Sequence, residues 1–163
     1  MSGYDFSLIS VLVCDDSFYI RSLVRSFLEG FGVRNVHDAG DTEEGFAKFV
    51  EFEPDLVITD WQMGDSSGLD LVYLIRWSEK SPNQFCPIIM LTGFTERERV
   101  EEARDAGVSG YLAKPLSAEQ LYKRLCKLID DRRAFVKQSD YFGPDRRIRS
   151  TAEFEGKDRR GSD

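Results

Sequence analysis

Histidine is almost missing from this chain. The single one, His37, falls on the least apolar of the strand-like runs, where an exposed edge position is a better reading than a phosphohistidine. Cysteine is nearly as scarce. Cys14, Cys86 and Cys126 are odd in number and far apart, so they offer neither a zinc spacing nor an obvious disulfide set. Cys14 and Cys126 sit in apolar patterns and read as packing residues. No apolar stretch approaches the ~20 residues of a membrane span, and the start Met-Ser-Gly-Tyr-Asp-Phe lacks a basic-then-apolar signal pattern. The expectation is a cytoplasmic protein with no membrane span.

What is present is ordinary globular composition, 41% hydrophobic and 31% charged over 163 residues. That length suits one domain with an added segment. Charge is unevenly spread. Residues 131–163 carry nine Lys/Arg and seven Asp/Glu, a net of +2, which leaves 13 and 22 for residues 1–130, a net of −9. An acidic body argues against nonspecific nucleic-acid binding by the main domain.

The informative pattern is what closes each apolar run. Ile9-Ser-Val-Leu-Val-Cys14 is followed by Asp15 and Asp16, and Asp55-Leu-Val-Ile-Thr-Asp60 ends on its own acid. Runs of this kind read as strands buried on both faces of a sheet. If the strands are parallel their carboxyl ends share one edge, where open α/β sheets place ligands. Three carboxylates would then meet in one cleft and repel one another unless a cation neutralises them. An oxygen-rich set suits a hard ion, Mg²⁺ above all. A third run, Pro87-Ile-Ile-Met-Leu-Thr92, ends in a hydroxyl, and Ser109-Gly-Tyr-Leu-Ala-Lys114-Pro115 ends in a lysine followed by proline.

Acids, hydroxyl and lysine at successive strand ends, in that order, resemble the receiver domain of bacterial response regulators, over about residues 9–131. Within that family the chain is most similar to the stand-alone, chemotaxis-type regulators. The resemblance implies a single-domain response regulator of a two-component phosphorelay. Asp60 would accept a phosphoryl group from a sensor histidine kinase or phosphotransfer protein. Mg²⁺ would be held by Asp16 directly, by Asp15 through water, by Asp60 and by the backbone carbonyl of Gln62. Thr92 and Lys114 would contact the phosphoryl oxygens. Thr92 and Tyr111 would form the switch, the Lys114–Pro115 bond would be cis, and a protein target would bind the face of the fourth helix and fifth strand. A homodimer is compatible with all of this. Each residue has a plainer reading beside it: Asp16 or Ser17 as a helix cap, Thr92 as a β-branched strand residue, Tyr111 as a half-buried strand tyrosine. Two positions depart from the family. Gly64 replaces the usual proline four residues after the phosphoacceptor, which predicts a looser loop, and Phe94 is apolar where many relatives are polar.

Between the strands, the pattern places helices from Asp16-Ser17 to Glu29, from Asp41 to Pro54, around Leu69, Val72 and Ile75, from Thr95 to Gly107, and from a capping box at Ser117 onward. Phe46, Phe49 and Val50 are the expected inward stripe of the second, and Trp77 on the third reads as packing. Five strands alternating with five helices imply right-handed crossovers and a doubly wound, flavodoxin-like three-layer α/β sandwich, and the resemblance adds the strand order 2-1-3-4-5. Residues 1–8 form a lead-in. Residues 132–163 hold the end of a long last helix and a tail in which Tyr141-Phe-Gly-Pro-Asp-Arg-Arg147 returns thirteen residues later as Phe154-Glu-Gly-Lys-Asp-Arg-Arg160. That tail is too poor in apolar residues to form its own core.

Other classes fit less well. A haloacid-dehalogenase-type hydrolase would carry a second acid two residues after the nucleophile, where this chain has Gln62. The paired arginines and aromatics of the tail would suit a nucleic-acid-binding arm on a receiver scaffold, but acids interleave them. No helix-turn-helix pattern follows residue 131, which argues against a DNA-binding domain. The expectation is a regulatory protein, not an enzyme, beyond its own phosphorylation and dephosphorylation.

Overall fold

The structure is a computed structural model that describes residues 4–93, 97–114 and 116–138, with only the backbone described at 97–100 and 131–138. Phe94, the Lys114–Pro115 bond and both copies of the tail motif lie outside the described residues. The chain divides into two compact units, Met1–Leu128 and Ile129–Asp163.

Five strand-like runs become the strands β1 (Ser10–Cys14), β2 (Asn35–Ala39), β3 (Leu56–Asp60), β6 (Ile88–Thr92) and β7 (Gly110–Ala113) of one parallel sheet, ordered β2-β1-β3-β6-β7. β4 (Gln62–Met63) and β5 (Ser66–Ser67) form a separate antiparallel hairpin. Setting the hairpin aside, the order is the expected 2-1-3-4-5. The helices are α1 (Phe18–Gly30), α2 (Thr42–Phe52), α3 (Gly68–Trp77), α4 (Arg97–Ala106) and α5 (Ala118–Gln138). Local chemistry sets their starts. The Ser17 side chain accepts from the Ile20 amide, Asp41 from Glu44, and Ser117 from Gln120.

Side chains alternate across the sheet. Leu12, Cys14, Val57, Ile88 and Met90 pack with Phe49, Leu71, Val72 and Ile75 of α2 and α3 in one core. On the other face lie Val11, Val13, Ile58 and Leu91, with Val24 and Leu28 of α1 and Leu121 and Leu125 of α5 likewise buried. Each such aliphatic contributes about 1.5–3 kcal/mol on burial. The lead-in takes part: Phe6 is buried and meets Tyr122 of α5 edge-on at 5.7 Å.

Three expectations change. Val50 is exposed, because α2 turns Thr42, Gly45 and Phe49 inward instead. A Cβ at Gly45 would lie 3.0 Å from the Cys14 sulfur, so the glycine lets the helix approach the sheet there. Trp77 does not pack; it is 73% exposed at the end of α3. The segment after Asp60 is not a plain loop but the β4–β5 hairpin, with Gly68 already in α3.

Candidate functional site

Register brings the acids together. Cys14 pairs with Thr59, so Asp15 and Asp60, each one residue further on, leave the sheet at the same level. Asp60 itself pairs with Leu91, and Thr92 with Ala113, which sets Thr92 and Lys114 beside the same edge. Backbone bonds knit that edge: the Asp15 amide donates to Ala39, Trp61 to Leu91 and Lys114 to Thr92, at 2.8–3.1 Å.

Oxygens of Asp15, Asp16 and Asp60 lie within 4.8 Å of one another. Asp15 and Asp60 are 1% and 7% exposed, whereas Asp16 is open to solvent. The Lys114 ammonium sits 2.9 Å from Asp60 Oδ1 and 3.6 Å from Asp15 Oδ2. Asp15 Oδ1 accepts from the Ser17 amide, while its buried Oδ2 accepts no hydrogen bond within ordinary distance among the described residues and faces the Lys114 ammonium. Burial raises the Asp15 carboxyl to about 6; the Ser17 amide opposes that shift and the Asp60 charge adds to it. For Lys114, burial alone would lower the pKa, but the hydrogen bond and charge of Asp60 outweigh it and hold the ammonium above its ordinary range. Three carboxylates against one ammonium leave the cleft strongly negative. A buried carboxylate oxygen without a close hydrogen bond, in an all-oxygen set, fits a hard divalent cation such as Mg²⁺.

The other predicted residues are placed as follows. Thr92 is buried at the end of β6. Tyr111 on β7 is 36% exposed, and its carbonyl accepts from Arg124 at 3.3 Å. Gln62 is exposed on the hairpin, paired with Ser67. Cys86, left without a role in the sequence, is buried, as is Cys14; Cys126 is half-buried. His37 is half-buried on the edge strand and stacks on Phe52, with ring centroids 3.9 Å apart.

Two contacts around the acids come only from the fold. Arg21 reaches back from α1 to donate to the Asp15 carbonyl at 2.7 Å and to Asp38 Oδ2 at 2.9 Å. It thereby joins the end of β1 to β2. The second concerns Gly64. Its amide donates to Asp16 Oδ2 at 2.9 Å from a left-handed backbone with φ +59°, so the loop expected to be loose is tied to an acid of the cluster.

Comparison with known proteins agrees with this geometry. The family model described as "Response regulator receiver domain" matches residues 11–126. The chain is 33% identical over 122 residues to chemotaxis protein CheY-3 of Vibrio cholerae, an alignment covering 75% of this chain and 92% of that protein. It is 29% identical to chemotaxis protein CheY of Pseudomonas aeruginosa, covering 75% and 97%. Among solved structures, chemotaxis response regulator CheY4 of Vibrio cholerae is similar with a TM-score of 0.67 at 34% identity, covering 74% of this chain and 98% of that one. A CheY-like receiver domain protein from Methanospirillum hungatei is similar with a TM-score of 0.69 at 26% identity, covering 77% and 96%.

Proposed function

As the chain belongs to the response regulator receiver domain family of two-component phosphorelay systems, we propose that Asp60 is its phosphoacceptor. A histidine kinase or phosphotransfer protein would supply the phosphoryl group, and the acids at the sheet edge would hold Mg²⁺. The observation that carries this reading is the Lys114 ammonium 2.9 Å from Asp60 Oδ1, beside the buried Oδ2 of Asp15.

Asp60 is the nucleophile. One of its oxygens forms the bond to phosphorus as the phosphorus–nitrogen bond of a phosphohistidine donor breaks, and the departing imidazole nitrogen keeps the electron pair and gains a proton. Such transfers need little covalent help from the protein, only positioning and charge neutralisation. Lys114 already pairs with one oxygen of Asp60 and can follow the arriving phosphoryl group as a point charge. Thr92, at the adjacent strand end, would donate its hydroxyl to another phosphoryl oxygen. Asp15, Asp16, Asp60 and the Gln62 carbonyl would hold the ion, which when bound supplies positive charge to the carboxylates and phosphoryl oxygens. The role is that of a cytoplasmic regulatory switch whose α4–β7 face meets a protein target, not of an enzyme with a separate substrate.

Mass spectrometry after exposure to a small acyl phosphate, with and without Mg²⁺, tests the assignment. Wild type should gain one acid-labile phosphoryl group only with Mg²⁺, and Asp16→Ala should lose most of that dependence together with the rate. Asp60→Asn gaining the group at the wild-type rate would show that another residue is the acceptor.

A further inference from the structure

We propose that the backbone amide of Gly64 is a positioning group for Asp16, so that ion binding and the closing of the Gln62–Ser67 hairpin over the site are one coupled event. The inference rests on the reading of the acid cluster as a magnesium site and adds a part that the cluster itself does not contain.

Asp16 is the weak member of the trio. Asp15 is buried and held through the Ser17 amide, and Asp60 is buried against Lys114, but Asp16 is exposed. An exposed carboxylate on a short side chain has rotameric freedom to lose when it binds an ion. The Gly64 amide, 2.9 Å from Asp16 Oδ2, reduces that freedom before an ion arrives. A carboxylate offers about four lone-pair sites, so accepting one amide leaves room for coordination. Groups that orient a metal ligand in this way set affinity although they never touch the metal.

The sequence at this point makes the contact possible. Proline, the residue the family resemblance leads one to expect at position 64, has no amide proton, and its ring fixes φ near −65°. Gly64 has φ +59°, a region glycine enters freely. Glycine therefore supplies both the donor and the backbone turn that aims it. A Cβ added at Gly64 would stand 3.9 Å from Asp16 Oδ2, ordinary contact distance, so the obstacle to other residues is backbone conformation and not space. The hairpin that contains Gly64 is tied internally, since the Ser66 hydroxyl donates to the Met63 carbonyl and Gln62 pairs with Ser67. Whatever fixes Gly64 is thus transmitted to the whole turn. By linkage, if the closed turn favours the ion, the ion favours the closed turn by the same factor.

The test uses the full chain and Mg²⁺ alone. Trp61 fluorescence gives the ion's Kd, and amide exchange resolved to Gly64 follows the hydrogen bond. Saturating Mg²⁺ should slow Gly64 exchange by about the factor by which losing the contact weakens binding, on the order of tenfold for an outer partner of a ligand. Gly64→Asn, which keeps the amide and tolerates positive φ, should bind Mg²⁺ within roughly threefold of wild type. Gly64→Pro should bind about tenfold more weakly while melting as a folded protein. Mg²⁺ binding with Gly64 exchange unchanged or faster would overturn the coupling and leave the magnesium site intact. Gly64→Pro binding as tightly as wild type would overturn the positioning role. A wild-type protein with no response to Mg²⁺ would overturn the site and the inference together.

Discussion

Lys114 Nζ stands 2.9 Å from Asp60 Oδ1, so the proposed nucleophile is already paired with the cation that would contact the phosphoryl group it accepts. The same ammonium is 3.6 Å from Asp15, inside the cluster that would take a divalent ion. It therefore holds part of the place that an ion's charge would fill. Removing it leaves the cluster more negative, and Lys114→Met should bind Mg²⁺ roughly three- to tenfold more tightly, the scale of one repelling charge lost from a partly solvated site. Its phosphorylation should nonetheless slow, because a charge on the phosphoryl oxygens is gone. Weaker Mg²⁺ binding in this variant would mean that Lys114 supports the ion site and does not compete with it.

Asp15 makes the free site costly. A carboxyl with a raised folded pKa carries stability that is present in full below its ordinary value near 3.8 and is lost as the pH climbs through about 6. Ionised Asp15 thus opposes folding at neutral pH, by up to about 3 kcal/mol on the scale of 1.36 kcal/mol per unit. Asp15→Asn should be more stable than wild type in chelator at pH 7.5, and the gain should shrink toward pH 4.5. Mg²⁺ should stabilise wild type far more than the variant. Urea melts with a constant difference across that pH range would show that burial of the ionised carboxylate is not the cause.

Gly68 is where the site's backbone is least tolerant. A Cβ there would overlap the Asp60 carbonyl oxygen and lie 3.1 Å from the Thr59 hydroxyl, and the Gly68 amide donates to Trp61 at 2.6 Å. Overlap with backbone cannot be relieved by a rotamer change, so Gly68→Ala should cost about 2–4 kcal/mol. Gly30, with open space around it, is the control, and Gly30→Ala should shift stability by less than about 1 kcal/mol. Equal denaturation midpoints for the two variants would refute the clash.

Much of this was legible because sheet-edge sites are written where apolar runs stop. Asp15, Asp60 and Thr92 each close such a run, and strand register does the rest. The hairpin was not legible: two-residue strands such as Gln62–Met63 have no periodicity to read. Val50 misled because the inward face of α2 is set by how closely Gly45 approaches Cys14, a tertiary distance. The long arms were invisible for a similar reason. Arg21 bridges to Asp38 across seventeen residues, and Arg76 donates to the carbonyls of Gln84, Cys86 and Gly107 at 2.7–3.0 Å. Sequence shows such arginines as helix-surface charges, and only the fold shows the carbonyls they close.

The switch is the part of the proposed function that demands movement. Thr92 is buried at the end of β6, while Tyr111 is 36% exposed on the neighbouring β7, where Met90 pairs with Tyr111 and Thr92 with Ala113. A phosphoryl group on Asp60 would draw the Thr92 hydroxyl toward it, and the space it leaves is what Tyr111 would enter. Phosphorylation can bias Tyr111 only through contacts that differ between the two states, and the Thr92 hydroxyl would be one such contact. Thr92→Ala should therefore accept the phosphoryl group yet fail to pass the signal on. Oxidative labelling of Tyr111 reads this directly: in wild type it should fall on phosphorylation, by about fivefold or more if the coupling has ordinary allosteric strength. In Thr92→Ala it should change by less than about twofold under the same conditions. An equal fall in both proteins would show that Tyr111 is driven by some other contact of the phosphoryl group, and Thr92 would then be a strand-end residue with no part in the switch.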